Sequence, residues 1–238
     1  MVFEVLAYAV GFAVYRALRR RRGDFLDDPA RWSVMVAVVL GAAVGSKLLH
    51  HLNHLALLAE HAGDPRFLLG GKTIVGALLG GWLAVEWTKR RLGIVRRTGD
   101  LFALPLAVGI AVGRVGCILA GPADGTHGSV TDLSWGIDSG DGLPRHPVLL
   151  LEILFVSIVG VLVTRRRSWL ARDGARFRFF LGSYLAFRVA VDFLKPAERF
   201  GGLSAIQWAA LAGFSWLAFA ALCGSARAGT EGRRESAA

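Results

Sequence analysis

The sequence predicts an all-α integral membrane protein with seven transmembrane helices, its N-terminus outside and its C-terminus inside. A short periplasmic loop is expected between the fourth and fifth helices. Three observations carry this prediction. Apolar runs of about 17–20 residues recur along the chain, each long enough to cross a hydrocarbon core about 30 Å thick. The chain is 54% hydrophobic with a mean hydropathy of +0.48, more apolar than an ordinary soluble domain. The net charge of +10 is not spread over one face. It comes in bursts between the apolar runs, as cytoplasmic loops do, which argues against a nucleic-acid partner.

The first expected helix, 2–18, is followed at once by Arg19, Arg20, Arg21 and Arg22. A cleavable signal peptide carries its charge before the apolar run, so this helix reads as uncleaved with its start outside. The second covers 32–49 and leads into a histidine-rich segment with His50, His51, His54 and His61. The third, 72–87, ends in Lys89, Arg90, Arg91, Arg96 and Arg97; the fourth covers 101–119. After a polar, glycine-rich loop come the fifth, 147–163, ending in Arg165, Arg166 and Arg167, the sixth, 177–194, and the seventh, 204–223. Residues 1–223 form one transmembrane domain, and the Gly/Ser/Arg/Glu-rich stretch 224–238 reads as a disordered cytoplasmic tail. With seven crossings, the segments 16–31, 89–97, 165–178 and 227–234 all lie inside and hold 20 of the 28 Lys and Arg. Cys117 then falls near the outer face and Cys223 near the inner one, so they cannot pair.

Three of the helices carry a small-xxx-small spacing: Gly41/Gly45, Gly76/Gly80 and Gly109/Gly113. Such pairs let helix backbones approach closely in lipid. Gly70-Gly71 differs, preceding the third helix as a candidate re-entrant turn. No internal repeat is evident, and polar residues within the spans gather toward the outer half; neither favours a transporter.

Ionisable residues inside a span cost several kcal/mol unless they face protein or water, and so mark candidate sites. The sixth helix places Tyr184, Arg188, Asp192 and Lys195 at spacings of four, four and three, all on one face. An Arg188–Asp192 pair could serve packing alone, but Lys195 adds positive charge that one carboxylate does not balance. Arg114 stands about one turn inside the outer end of the fourth helix, where snorkelling is its plain alternative. Gly113 and Gly116 leave room around it. Two arginines at the outer ends of different helices suit one phosphate held by forked hydrogen bonds, which points to an anionic lipid headgroup. His146, just before Pro147, stands at the membrane surface as a candidate acid–base group or as an interfacial cap. Glu152, just over one turn into the fifth helix, can pair with Arg114 or Arg188. His50, His51, His54 and His61 read as loop or interfacial residues, with no metal-binding spacing.

The strings GGKTIVGALLGG, GRVGCILAG, PRHPVLLLE and FRVAVDFLKPAE occur in that order on seven expected spans. Together they resemble the prolipoprotein diacylglyceryl transferase family over about residues 5–220. The resemblance implies an integral bacterial inner-membrane enzyme, multi-pass and without cofactor. It would move the diacylglyceryl group of phosphatidylglycerol to the lipobox cysteine thiol of a prolipoprotein, forming a thioether and releasing glycerol phosphate. The lipid bilayer, phosphatidylglycerol and a lipobox-bearing signal peptide are the implied partners.

By this resemblance Arg114 falls on the essential arginine of the GRxGN-type signature, and Cys117 on its asparagine. Gly125 or Gly128 falls on the glycine that follows, His146 and Glu152 on the HPxxLYE motif, and Arg188 on the late essential arginine. Asp192 stands where glutamate is usual. Arg114, His146, Glu152 and Arg188 are thus the implied catalytic residues. Arg114, Cys117, Gly125, Gly128, Tyr184, Arg188, Asp192 and Lys195 are the implied substrate-binding set. The chain also departs from the pattern. The usual HGG, whose histidine is a proposed base, reads Val75-Gly76-Ala77; a first-helix tyrosine reads Glu4; the HPxxLYE tyrosine reads Leu151; and the outer loop is short. A diverged paralogue with another acceptor, and a non-catalytic phospholipid-binding protein, are the alternatives these departures leave.

Overall fold

A computed structural model describes residues 2–23, 26–121, 125–165, 168–170 and 172–235, the side chains of 168 and 222–235 excepted. Among the described residues seven long helices lie where the apolar runs place them: α1 (Val2–Arg22), α2 (Asp28–Leu52), α5 (Ile74–Arg91), α6 (Asp100–Ala120), α7 (Val148–Thr164), α8 (Ala175–Val191) and α9 (Ala205–Glu235). Two short helices, α3 (Leu55–His61) and α4 (Pro65–Leu69), fill the histidine-rich connection that the sequence left as loop and candidate turn. Beyond α8 the expected sixth helix tightens into a 3₁₀ turn, Asp192–Leu194. The side chains of α9 are described only to Ala221, so Cys223 and the side chains of the expected tail lie outside the described set.

By length and composition α2 and α6 can cross a membrane, while α7 and residues 205–221 are apolar but shorter. The apolar exterior runs over several helices, with Val39, Leu40 and Val44 of α2, Leu154 and Ile158 of α7, and Trp216 and Phe219 of α9 all exposed. The core lies between α5, α6, α7, α8 and α9, around Val75, Leu78, Ala107, Val156, Phe180, Tyr184 and Ala210.

Helix starts follow from local chemistry. Asp27 caps α2 by accepting from the Ala30 amide at 3.2 Å, with Pro29 in the first turn. Asp64 caps α4 through the Arg66 amide at 2.8 Å. Across the chain, Asp100 of α6 accepts from the amides of Gly174 (2.8 Å) and Phe177 (3.1 Å), tying the start of α8 to the start of α6.

α2 and α5 meet backbone to backbone. A methyl group on Gly76 would overlap the Gly45 carbonyl, and one on Gly80 the Gly41 carbonyl. The spacing read from the sequence is thus the contact itself. Just beyond it, Ser46 Oγ donates to the Thr73 carbonyl (3.0 Å) and accepts from the Thr73 amide (2.9 Å), while Thr73 Oγ1 donates to the Ser46 carbonyl (3.1 Å). The third pair faces elsewhere, Gly109 and Gly113 lying against Ala7 of α1. Because a carbonyl cannot move aside as a side chain can, Gly76→Ala is expected to destabilise the protein by about 1–3 kcal/mol. Thermal unfolding in detergent reads that loss, and an unchanged midpoint would show that α2 and α5 are not held this closely.

The loop between α6 and α7 holds a small hairpin. Strands β1 (Ile137–Asp138) and β2 (Pro144–Arg145) pair antiparallel, and Asp138 Oδ1 closes their turn by accepting from the amides of Gly140, Asp141 and Gly142. Arg145 Nε and Nη2 donate to Asp141 Oδ2 at 2.9 and 2.6 Å, which holds the Asp141 carboxyl below its usual range. Ser129 stitches the loop to the helices. The Ser129 amide (2.8 Å) and hydroxyl (3.1 Å) both donate to the Leu194 carbonyl at the end of the 3₁₀ turn.

Candidate active site

Three helices, the 3₁₀ turn after α8 and the residue before α9 bring charged or hydroxyl groups to a single buried cluster. Glu152 of α7, fully buried, stands at its centre. Its Oε1 accepts from the Tyr184 hydroxyl at 2.6 Å and from Arg114 Nη2 at 3.1 Å. Its Oε2 pairs with Arg114 Nε at 3.0 Å and accepts from Arg188 Nη1 at 3.4 Å. Arg188 Nη2 donates to Asp192 Oδ1 at 2.8 Å, and the Ser204 hydroxyl donates to Asp192 Oδ2 at 2.6 Å. A chain of contacts therefore runs from α6 through α7 and α8 to the start of α9. Burying charges is tolerable only when each is paired and hydrogen-bonded in this way.

Two of the cationic groups keep donors in reserve. Among the described residues, the buried Nε of Arg114 and the buried Nε of Arg188 make no hydrogen bond; the first faces Glu152 out of alignment. Lys195, half-buried just past the 3₁₀ turn, forms no ion pair among the described residues. Burial pushes its ammonium down to about 7, and the charges of Arg188 and Arg114 push the same way. Counting the cluster, three cations face two carboxylates, which leaves one positive charge for an anion.

Arg114, Arg188, Asp192 and Lys195 all line one cavity of about 1890 Å³, together with Cys117, Gly125, Thr126 and His127. Its walls are largely apolar, formed by Phe12 of α1, Val38 and Ala42 of α2, Leu78 and Trp82 of α5, and Leu106 and Ile110 of α6. Glu86, Lys89, Arg90 and Arg97, from the end of α5 and the connection to α6, also line it. Val75, where the resemblance leads one to look for a histidine, is buried in the core and also touches this cavity.

The structure thus brings together Arg114, Glu152, Tyr184, Arg188, Asp192 and Lys195. Cys117 Sγ lies 3.7 Å from Arg114 Nη1 as an acceptor. Gly125 is on the cavity wall. Gly128 is instead buried against the backbone of His146, where a methyl group would overlap the His146 carbonyl. His146 is not among the residues lining the cavity; its ring stands edge-on to Trp135 at 6.0 Å. Its amide donates to the Ser129 carbonyl at 3.0 Å, placing the residue in the loop clamp.

Sequence reasoning missed two members of the constellation. Ser204 both caps α9 and holds Asp192. Its amide donates to Gln207 Oε1 at 2.8 Å while its Oγ accepts from the Gln207 amide at 3.1 Å. That is a capping box, and the S-x-x-Q spacing of Ser204 and Gln207 is its signature. His127 is the second, and no periodic pattern marks it.

Apolar-faced helices around a buried arginine–carboxylate cluster define a helical membrane protein with a charged site enclosed among its helices. The sequence profile of the prolipoprotein diacylglyceryl transferase family matches residues 2–224. The chain belongs to that family, which is one of transferases. It is 32% identical over 227 residues to a phosphatidylglycerol–prolipoprotein diacylglyceryl transferase of Bordetella bronchiseptica, covering 85% of this chain and 83% of the relative. With one of that description from Geobacter sulfurreducens the identity is 33% over 221 residues, covering 84% and 80%. With one from Vibrio vulnificus it is 30% over 219 residues, covering 83% and 76%.

Proposed function

We infer that the chain transfers the diacylglyceryl group of phosphatidylglycerol to the lipobox cysteine thiol of a prolipoprotein and releases glycerol phosphate. The observation that carries this reading is the excess cation at one end of a large apolar-walled cavity. Such a site suits a ligand with one anionic head and long apolar chains. The phosphate takes the unused donors of Arg114 and Arg188, and Lys195 adds a point charge beside them. The same donors stabilise the charge that builds on the departing phosphoester oxygen as the thiolate attacks the glycerol carbon. Glu152 keeps both guanidinium groups in place, and Tyr184 and Asp192 hold Glu152 and Arg188 in turn.

A mass-spectrometric assay with purified protein, phosphatidylglycerol and a lipobox peptide tests the reading. The expected result is a diacylglyceryl mass gain on the peptide that Arg114→Ala removes. Headgroup binding without any mass gain would favour a lipid-binding protein. Gain on a different thiol or hydroxyl acceptor alone would favour a diverged paralogue.

The placement proposed is a bacterial inner membrane crossed seven times with the N-terminus outside. The arginine bursts after α1 and α5 support it. A reporter fused after Arg97 is expected to be active in the cytoplasm, and periplasmic activity there would overturn the orientation.

Lys195 gives binding a pH dependence. Its charged form attracts phosphate, so its contribution is present below about pH 7 and is lost as pH rises through about 7. One charge-assisted hydrogen bond of about 1.5 kcal/mol makes this a roughly tenfold fall in phosphatidylglycerol affinity. Lys195→Gln is expected to bind weakly at both ends of that range; a full pH step in this variant would assign the effect to another group.

A further inference from the structure

Transfer to a thiol needs a proton acceptor at the cavity wall, and the side chains named so far do not supply one. Both oxygens of Glu152 are engaged by Arg114, Tyr184 and Arg188, and both of Asp192 by Arg188 and Ser204. His146 stands off the wall. His51 and His61 are not among the residues lining the cavity; His54 is, but its Nδ1 is held on the His50 carbonyl and its ring packs on that of His50. His50 lies on the wall but is closed in, its ring against the Gly71 backbone and 4.5 Å from the His54 ring.

His127 differs from all of these. It lines the cavity beside Gly125 and Thr126, as Arg114 and Lys195 do. It lies two residues before Ser129, whose amide and hydroxyl pin the loop to the Leu194 carbonyl, next to Lys195. Its Nδ1 is buried and bonded to no protein atom, and among the described residues its other ring nitrogen makes no hydrogen bond either. A buried polar atom left unpaired in a site calls for a partner that arrives later. Neutral imidazole always has one nitrogen free to accept a proton.

We propose that His127 is the general base that takes the proton from the acceptor thiol, an assignment that rests on the transferase reading. The S–H bond breaks and its proton passes to the imidazole. The sulfur then forms the C–S bond to the glycerol carbon as the C–O bond to phosphate breaks, its electron pair leaving on the phosphoester oxygen held by Arg114 and Arg188. The imidazolium returns the proton to the glycerol phosphate, so that atoms and charge balance. The charged groups that share the cavity lining with His127 include Arg114, Arg188, Asp192 and Lys195, and Arg145 and His146 contact the neighbouring Gly128.

The test uses the full chain with phosphatidylglycerol and a lipobox peptide, measured from about pH 5 to about pH 9. His127→Asn is expected to lower kcat by about 10²–10⁴-fold with KM nearly unchanged, and to remove the acid limb of the pH profile. The alkaline limb, set by Lys195, is expected to stay. His127→Ala is expected to regain part of its activity when imidazole is added, which a merely structural role would not allow; His50→Gln keeps the acid limb. The assignment is overturned if His127→Asn turns over within about threefold of the unaltered protein with its acid limb intact. It is also overturned if imidazole fails to rescue His127→Ala, or if the limb disappears in His146→Gln instead. An unaltered chain that transfers nothing sinks the activity itself, whereas active protein with an indifferent His127 sinks only the base.

Discussion

Arg188→Ala is expected to abolish diacylglyceryl transfer while the protein still inserts and folds. The two halves of this expectation rest on different contacts. Without Arg188, Glu152 keeps Arg114 and Tyr184, while Asp192 loses its ion pair and keeps the Ser204 hydroxyl and the nearby charge of Lys195, so each carboxylate of the cluster still has a partner. What disappears is one of the two forked donors aimed at the phosphate. Losing one preorganised donor to developing negative charge costs about 10²–10³-fold in turnover, and losing part of the ground-state headgroup binding lowers kcat/KM further. The measurement is kcat/KM for peptide modification, with gel filtration in detergent to confirm the folded state. Activity within about tenfold of the unaltered chain would mean that Arg188 is a packing residue and that the phosphate sits elsewhere.

Glu152→Gln is expected to have the largest effect on stability. Glu152 is fully buried and is the shared partner of both arginines. A neutral amide leaves two buried guanidinium groups with insufficient negative charge, and breaking a buried ion pair from one side costs about 3–5 kcal/mol. Thermal unfolding in detergent is expected to show that loss. Tyr184→Phe provides the scale, because it removes one hydrogen bond at 2.6 Å and leaves every charge paired, a cost of about 1 kcal/mol. Equal losses in the two variants would show that Glu152 acts through its hydrogen bonds and not through its charge.

Much of the fold was legible because a membrane chain writes its spans as long apolar runs bounded by charge. The long helices lie close to those runs, and Gly76 and Gly45 meet as their spacing implied. The reading failed where signals are short. α3 and α4 together hold few residues and no long apolar period, although Asp64-Pro65 is a capping pair that announces α4. The hairpin between α6 and α7 is built from two-residue strands, too brief for alternation to register. In the site, Tyr184, Arg188, Asp192 and Lys195 were legible because helical spacing puts them on one face, and Glu152 because a lone acid in an apolar run needs a cation. Ser204 could have been found from its capping box. His127 could not, because a histidine in a glycine-rich loop has no period to betray which way the fold will turn it.

One consequence follows from Glu152 bridging Arg114 and Arg188. The protein carries its own resident anion between the two groups that await a visiting one. An empty site is therefore not an electrostatically exposed one: newly made protein can settle in a bilayer poor in its lipid without two like charges driving the helix ends apart. Substrate then adds to a structure whose two arginines are already bridged, and the integrity of the empty protein is uncoupled from the supply of what it consumes.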